Sequence, residues 1–352
     1  MYNKSAVIIA FLILLCKVTF AQNVWFLKND RRLVNNKDSA DYIRIISAPD
    51  SGDVLYNITE LYTDNKKKLV GKSLSDKGFV PQGKILTYYS NGKIQNIIEF
   101  LNGKISGDFY EYFPNGILYT HRYFTTPTEY ADRNNLKFIN NYNLLICNDV
   151  DGTALANEGF GLYKVYTERF DGLLEAGLVK NGKRQGDWNG VDTALNVSYT
   201  EKYEDGLFIS GMSFDNLGIK HTYATQDLVQ PSYTGGYEAF IKYLQQNLLS
   251  TAKSKNNKTN GRVFVEFTVD LSGRIDSVRT LRSPNEYLSA AAERVIFDAP
   301  GWKPASERGV YRKVKLTVPI DFGPEKLKFI GRPIVRQAKA PNDWFEQYQP
   351  GF

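Results

Sequence analysis

The hexapeptides NGKISG, at residues 102–107, and NGKRQG, at 181–186, are each followed by an aspartate and an aromatic residue, Asp108-Phe109 and Asp187-Trp188. A looser copy, DGLFISG, occupies 205–211. A second motif alternates with the first, YYSNGK at 88–93 and YFPNGI at 112–117, placing Gly92 and Gly116 24 residues apart. LYTDNKKKLVGKS, at 61–73, reads as an earlier, degenerate copy. Asn-Gly and Asp-Gly supply the positive φ angles of tight hairpin turns, and the aromatic-rich segments between them have strand composition. A unit of two short strands cannot bury a face alone, so neighbouring units must stack into a continuous sheet or open solenoid. The pattern predicts β-hairpins over residues 55–215, less regular across 125–160.

From about residue 233 the pattern changes. TGGYEAFIKYLQQNLL, at 234–249, carries Phe240, Ile241, Leu244 and Leu248 at helical spacing. A polar, basic stretch follows, KSKNNKTNG. RVFVEFTVD, at 262–270, then alternates as a strand with Val263, Val265, Phe267 and Val269 on one side. LSG makes a turn, and RIDSVRTL, at 274–281, returns as the second strand of a hairpin. Ser283-Pro284-Asn285-Glu286 predicts a helix start, with Ser283 as N-cap, proline at N1 and a capping-box glutamate at N3. Leu288, Ala291, Ala292, Val295 and Ile296 form its apolar stripe, and Pro300-Gly301 ends it.

The segment GWKPASERGVYRKVKLTVPIDF, at 301–322, closes this unit. Val310, Val314, Leu316, Val318, Ile320 and Phe322 alternate with Tyr311, Lys313, Lys315, Thr317 and Pro319, the period of a half-buried strand. A proline inside it confines the strand to a sheet edge, because proline cannot donate to a ladder. The final 29 residues, 324–352, with Arg332, Pro333, Pro341 and Pro350, read as an extended tail.

Lys4, the apolar run from Ala6 to Cys16 and the Thr19-Phe20-Ala21 triplet predict a secretory signal over residues 1–21, cleaved before Gln22, with an uncleaved anchor as the alternative. The run is shorter than the ~20 apolar residues that span a bilayer. Cleavage leaves Cys147 alone, which rules out an intrachain disulfide and makes apolar burial the source of stability. Cys147 follows Leu144-Leu145-Ile146 and reads as a core residue. A formal charge of +6 on 352 residues gives no argument for nucleic acid. His121 and His221 are the only histidines, too few for a histidine-rich metal site. Asp149, Asp151, Gly152 and Glu158 fall at positions of a calcium loop, but Cys147 stands where its first aspartate belongs, and an Asp-Gly hairpin turn is the preferred reading. No nucleophile elbow or P-loop is present, and no cofactor is implied; an enzyme is not expected.

Residues 233–322, through GRVFVEFTVDLSGRIDSVRTLRS and the W-K-P to V-P-I-x-F segment, resemble the TonB C-terminal domain, in the form common in envelope proteins of the Bacteroidetes. The middle of the chain resembles MORN-like, YwqK-type repeats. Together these give an α+β fold class: a β-hairpin repeat region (MORN-like antiparallel sheet) at 22–232, a small TonB C-terminal α+β domain at 233–323, and a tail at 324–352. The resemblance implies that an outer-membrane TonB-dependent receptor, or another envelope protein, adds a short strand to the domain's edge by β-augmentation. Carried onto this sequence, the receiving strand is Tyr311 to Ile320, with Arg312, Lys313, Val314, Lys315, Leu316, Thr317 and Val318 as the contact segment. The implied location is the periplasm or cell envelope, with membrane association through partners or an uncleaved N-terminus. A homodimer formed through the same edge is the other partner expected. The alternative is a non-transducing envelope structural or assembly protein that uses its repeats for protein interaction. Two features depart from TonB itself: residues 1–21 contain no histidine, so the S-x-x-x-H anchor signature is missing, and no long Pro-rich spanner precedes the domain.

Overall fold

A computed structural model describes residues 22–128, 141–226, 228–252, 261–322 and 334–335. The predicted signal segment, most of the basic stretch after the first helix and most of the tail lie outside the described residues. Contacts divide the chain into two compact units, one of residues 22–163 with Val179–Lys183, the other of Lys164–Leu178 with Arg184 onward.

The first unit is built from β1 (Asn23–Leu27), β2 (Leu33–Val34), β3 (Tyr42–Ser47), β4 (Tyr56–Tyr62), β5 (Lys67–Ser73), β6 (Pro81–Tyr88), β7 (Ile94–Leu101), β8 (Lys104–Tyr112), β9 (Leu118–Thr128), β10 (Tyr142–Asn148) and β11 (Ala154–Asn157). The chain continues through β12 (Phe160–Tyr166) and β13 (Leu173–Lys180). From β3 to β11 each strand pairs antiparallel with the next. The stretch expected to be less regular, as far as it is described, belongs to the same ladder.

The two sequence motifs make the two kinds of turn. At one end, Tyr62–Lys66, Tyr89–Lys93, Phe113–Ile117 and Asp149–Thr153 close in the same way, the first N–H meeting the last carbonyl at 2.8–2.9 Å. Asn65, Gly92, Gly116 and Gly152 hold the positive-φ position, so the degenerate copy at 61–73 forms the same turn with asparagine in the glycine slot. The calcium-like stretch is accordingly split between two hairpin turns, since Glu158 belongs to the next one. Successive turns are tied together: Asn91 Nδ2 donates to the Pro114 carbonyl at 2.9 Å, and Asn115 Nδ2 to that of Val150 at 2.8 Å. At the other end, Asn102-Gly103 makes a two-residue turn in which both φ angles are positive.

One face of this ladder is apolar, with Ile46, Ile58, Leu69, Ile85, Ile98, Phe100, Ile105, Phe109 and Phe124 in a single cluster. Charges lie within the same buried face. Glu60 accepts from Arg44 Nη2 at 2.6 Å and Lys68 Nζ at 3.1 Å. Glu111 accepts from Arg122 Nη2 at 2.7 Å, with that guanidinium 4.2 Å from the centre of the Phe109 ring. His121 reaches Asp108 at 2.6 Å, and Cys147 is buried in the core, as expected.

The second unit holds β14 (Lys183–Asp192), β15 (Val197–Glu204), β16 (Leu207–Phe214) and β17 (Lys220–Tyr223), paired in order. Here three glycines make room for aromatic rings from neighbouring strands. Tyr199 lies opposite Gly190 and Tyr223 opposite Gly211, each ring filling the space where a Cβ on the glycine would stand. Trp188 covers Gly177 in the same way and donates from Nε1 to the Leu178 carbonyl at 3.0 Å.

The unit continues with β18 (Ser232–Tyr233), α1 (Gly236–Ala252), β19 (Gly261–Val269), β20 (Ile275–Arg282), α2 (Glu286–Phe297), β21 (Trp302–Lys303), β22 (Ala305–Glu307), β23 (Val310–Arg312), β24 (Val314–Phe322) and β25 (Ile334–Val335). Helix α2 begins later than the capping pattern predicts. Asn285 is its N-cap and accepts from the Leu288 N–H at 2.9 Å, while Ser283 donates to the Asn285 carbonyl at 2.7 Å. The predicted stripe of α2 is buried, as are Phe240, Leu244 and Leu248 of α1.

Two expected outcomes follow from this packing. Burial pushes the Glu60 carboxyl up, but Lys68 and Arg44 more than offset it and hold it below its ordinary value. Its contribution is therefore present above that value and lost as pH falls through the lower folded value. Urea denaturation at about pH 3.5 and about pH 7 should show this loss for the parent, and Glu60→Gln should reduce the pH dependence. Gly190→Ala should destabilise by about 1–3 kcal/mol through overpacking against Tyr199, measured as a lower unfolding midpoint.

Candidate functional site

The C-terminal sheet runs in the order β20-β19-β24-β25. Strands β19 and β24 pair along their whole lengths, from Gly261 opposite Phe322 to Val269 opposite Val314. Val314, Leu316, Val318, Ile320 and Phe322 point to one face and join the apolar residues of both helices. Trp302 seals that core, its ring 5.0 Å from Phe240 and 5.3 Å from Phe267.

The single strand expected over 310–322 is instead two. It breaks at Lys313, and the break is invisible in the sequence because Val310 and Val314 share the same parity. Residues before it form β23, which pairs back on β22, and Arg312 is bound there to Glu307. Arg312 is thus part of a hairpin and not of the sheet edge. Lys313 sits at the junction and pairs with Asp276. Val314, Lys315, Leu316, Thr317 and Val318, the rest of the predicted contact segment, all lie on β24.

The other face of β24 carries Lys315, Thr317, Pro319 and Asp321. Asp321 accepts from Arg262 at 2.5 and 2.8 Å. Glu266 of β19 is buried there, held by Arg279 at 2.7 Å, with Lys315 Nζ 3.9 Å away. Thr317 is also buried, at 6 % exposure, although the alternation predicts it to face solvent. Nor is the outer ladder of β24 empty: Leu316 pairs with Val335 and Thr317 with Ile334.

A second cluster joins the β22–β23 hairpin to the repeat strands of the same unit. Its tip, Arg308-Gly309, has both φ angles positive, the conformation that Asn-Gly adopts in the repeats. Arg308 is 3 % exposed and donates to Glu201, which is 0 % exposed, while its guanidinium carbon lies 3.7 Å from the Tyr199 ring centre. Ser213 Oγ donates to the Arg308 carbonyl at 2.7 Å. The Glu201 carboxylate also accepts from Tyr223, Tyr203 and Gln226 at 2.9, 2.7 and 2.6 Å. Burial pushes the Arg308 guanidinium down, but Glu201, Tyr199 and Tyr223 more than compensate and keep it above its ordinary value. The same environment pushes Tyr199 and Tyr223 up, by burial first and then by the neighbouring carboxylates.

Residues 252–324 match the family described as Gram-negative bacterial TonB protein C-terminal. This part of the chain is a TonB C-terminal domain. That family is one of non-enzymatic energy-transduction and binding domains of the Gram-negative envelope, whose members interact with outer-membrane receptors. The upstream hairpin ladder is compatible with MORN-like repeats. No curated protein matches the chain. Among the described residues no helix is long and apolar enough to cross a membrane, and no group of His, Cys, Asp or Glu could hold a metal ion.

Two features of this unit escape a reading from sequence. The Arg308–Glu201 contact joins residues 107 apart, and its one local sign is the Arg-Gly pair at the hairpin tip. The tail strand is signalled by nothing beyond the β-branched pair Ile334-Val335. Arg308→Met should leave Glu201 buried without its cation and cost about 3–5 kcal/mol. Adding Glu201→Gln to that variant should recover part of the loss, read from denaturation midpoints in a double-mutant cycle.

Proposed function

We propose that the protein works in the periplasm or at the envelope as a TonB-like binding protein that accepts an extended peptide strand along the outer edge of β24. The acceptor residues are Val314, Lys315, Leu316, Thr317 and Val318, with Lys313 at the start of the edge. The expected ligand is the short box strand of an outer-membrane receptor, within TonB-dependent transport. Main-chain hydrogen bonds would supply affinity and alternate side chains would set register. The observation that carries this reading is the ladder of β24: among the described residues, β19 pairs with one side over nine residue pairs and residues 334–335 pair with the other side at two. Lys315 adds a cation beside the edge, suited to an acidic strand and protective against edge-to-edge aggregation.

A second reading, an envelope structural or assembly protein in which the repeats capture the partner, is favoured by a different observation. The last repeat strands and the TonB domain belong to one compact unit, joined through Arg308. A rigid connection of this kind suits a scaffold better than a long force-transmitting spanner.

The test is titration of the purified chain with synthetic peptides copying the box segments of the host's outer-membrane receptors. Saturable binding by at least one peptide is expected, weakened about tenfold when alternate peptide amides on the pairing side are N-methylated, the change expected for loss of about 1.4 kcal/mol of ladder hydrogen bonding. If no box peptide binds while partner capture persists in a chain lacking residues 233–352, the scaffold reading replaces it.

A further inference from the structure

The aspartate that follows each NGK-x-x-G copy precedes a buried aromatic residue and lies on the opposite face of its strand, so the core does not call for it. In the first unit that aspartate, Asp108, is met at 2.6 Å by His121, which stands opposite Tyr110 on the next strand. In the second unit the place of His121 is taken by Thr200, which lies opposite Asn189 and donates to its side-chain oxygen at 2.8 Å. Asp187 is left with Lys202 directly opposite, yet neither side chain carries an ion pair or hydrogen bond among the described residues. Both line a groove of about 530 Å³ on the outer face of β14–β17, within the roughly 300–1,000 Å³ of small-molecule sites. We propose that this groove binds a short peptide of dipeptide size by its two free ends, the ammonium at Asp187 and the carboxylate at Lys202.

The sheet itself supplies the concavity. Lys202 pairs with Ser210 and Tyr203 with Phe208, so Ile209 is an extra residue in β16, and a bulge of this kind bends its strand and increases the local twist. Two rows of side chains cross the groove. Asp187, Lys202 and Ser210 form the charged row, while Thr200, Met212 and Thr222 form the other. Met212 is 36 % exposed, and its flexible thioether adapts to apolar groups of different shape. A ligand with an ammonium, a carboxylate and an apolar side chain therefore finds a counterpart for each. An exposed Asp–Lys pair contributes little to stability, so the two charges turn to a ligand at little cost. The site does not involve β24.

Met212 is the one methionine of the chain apart from Met1, so a labelled methyl group there reports on the groove directly by nuclear magnetic resonance. The full chain is titrated with alanyl-leucine, with its N-acetylated and amidated form, and with free leucine. A saturable shift of the Met212 methyl signal by alanyl-leucine is expected, with affinity at least about tenfold weaker for the blocked form and in the Asp187→Asn and Lys202→Gln variants. Both substitutions lie on the exposed face and should leave the unfolding midpoint unchanged, which separates lost binding from lost fold. No shift by alanyl-leucine up to about 10 mM overturns the proposal, as does equal binding of the free and blocked forms or unchanged affinity in both variants. Tighter binding of leucine than of alanyl-leucine overturns the peptide and assigns the groove to a free amino acid.

Discussion

A carboxylate at zero exposure needs a cation, and Glu201 takes its cation from a hairpin 107 residues further along the chain. Much of the second unit is arranged around that requirement. Tyr199 lies under the guanidinium, Ser213 holds the hairpin backbone, and Tyr203, Tyr223 and Gln226 fill the remaining acceptor positions of the carboxylate. A buried ion pair is weak evidence for net stability, since desolvation offsets much of the attraction. Its effect is on specificity: a carboxylate this deep takes its cation in one geometry, which fixes where the β22–β23 hairpin sits on the repeat strands.

The same device recurs along the repeats. Glu60 is served by Arg44 and Lys68, Glu111 by Arg122, and Glu175 by Arg184, whose guanidinium lies 4.0 Å from the Trp188 ring centre. In these cases the cation comes from a nearby strand. At Glu201 it comes from the β22–β23 hairpin of the TonB domain.

Much of this architecture was legible because it is local. Asn-Gly and Asp-Gly turns, the two alternating motifs and the helical stripe of α2 depend on residues a few positions apart, and the structure places them where the sequence indicates. The edge strand was half legible. Its core face follows from alternation, but parity cannot show that the chain leaves one sheet and enters another at Lys313, which removes Arg312 from the edge. The N-cap of α2 moved from Ser283 to Asn285 because both side chains can cap, and only geometry selects between them. Arg308 and the tail strand were illegible for a common reason: each is defined by a long-range partner, and neither carries a motif.

What remains distinctive about β24 is the asymmetry of its two sides: among the described residues, one is paired along its whole length by β19 and the other at two positions by residues 334–335. The most direct measurement of its role is photo-crosslinking in native cells from an unnatural side chain replacing Lys315, with mass-spectrometric identification of the joined peptides. The account predicts crosslinks to the box segment of an outer-membrane receptor. Crosslinks to the tail alone, or to a second copy of the TonB domain alone, would contradict it.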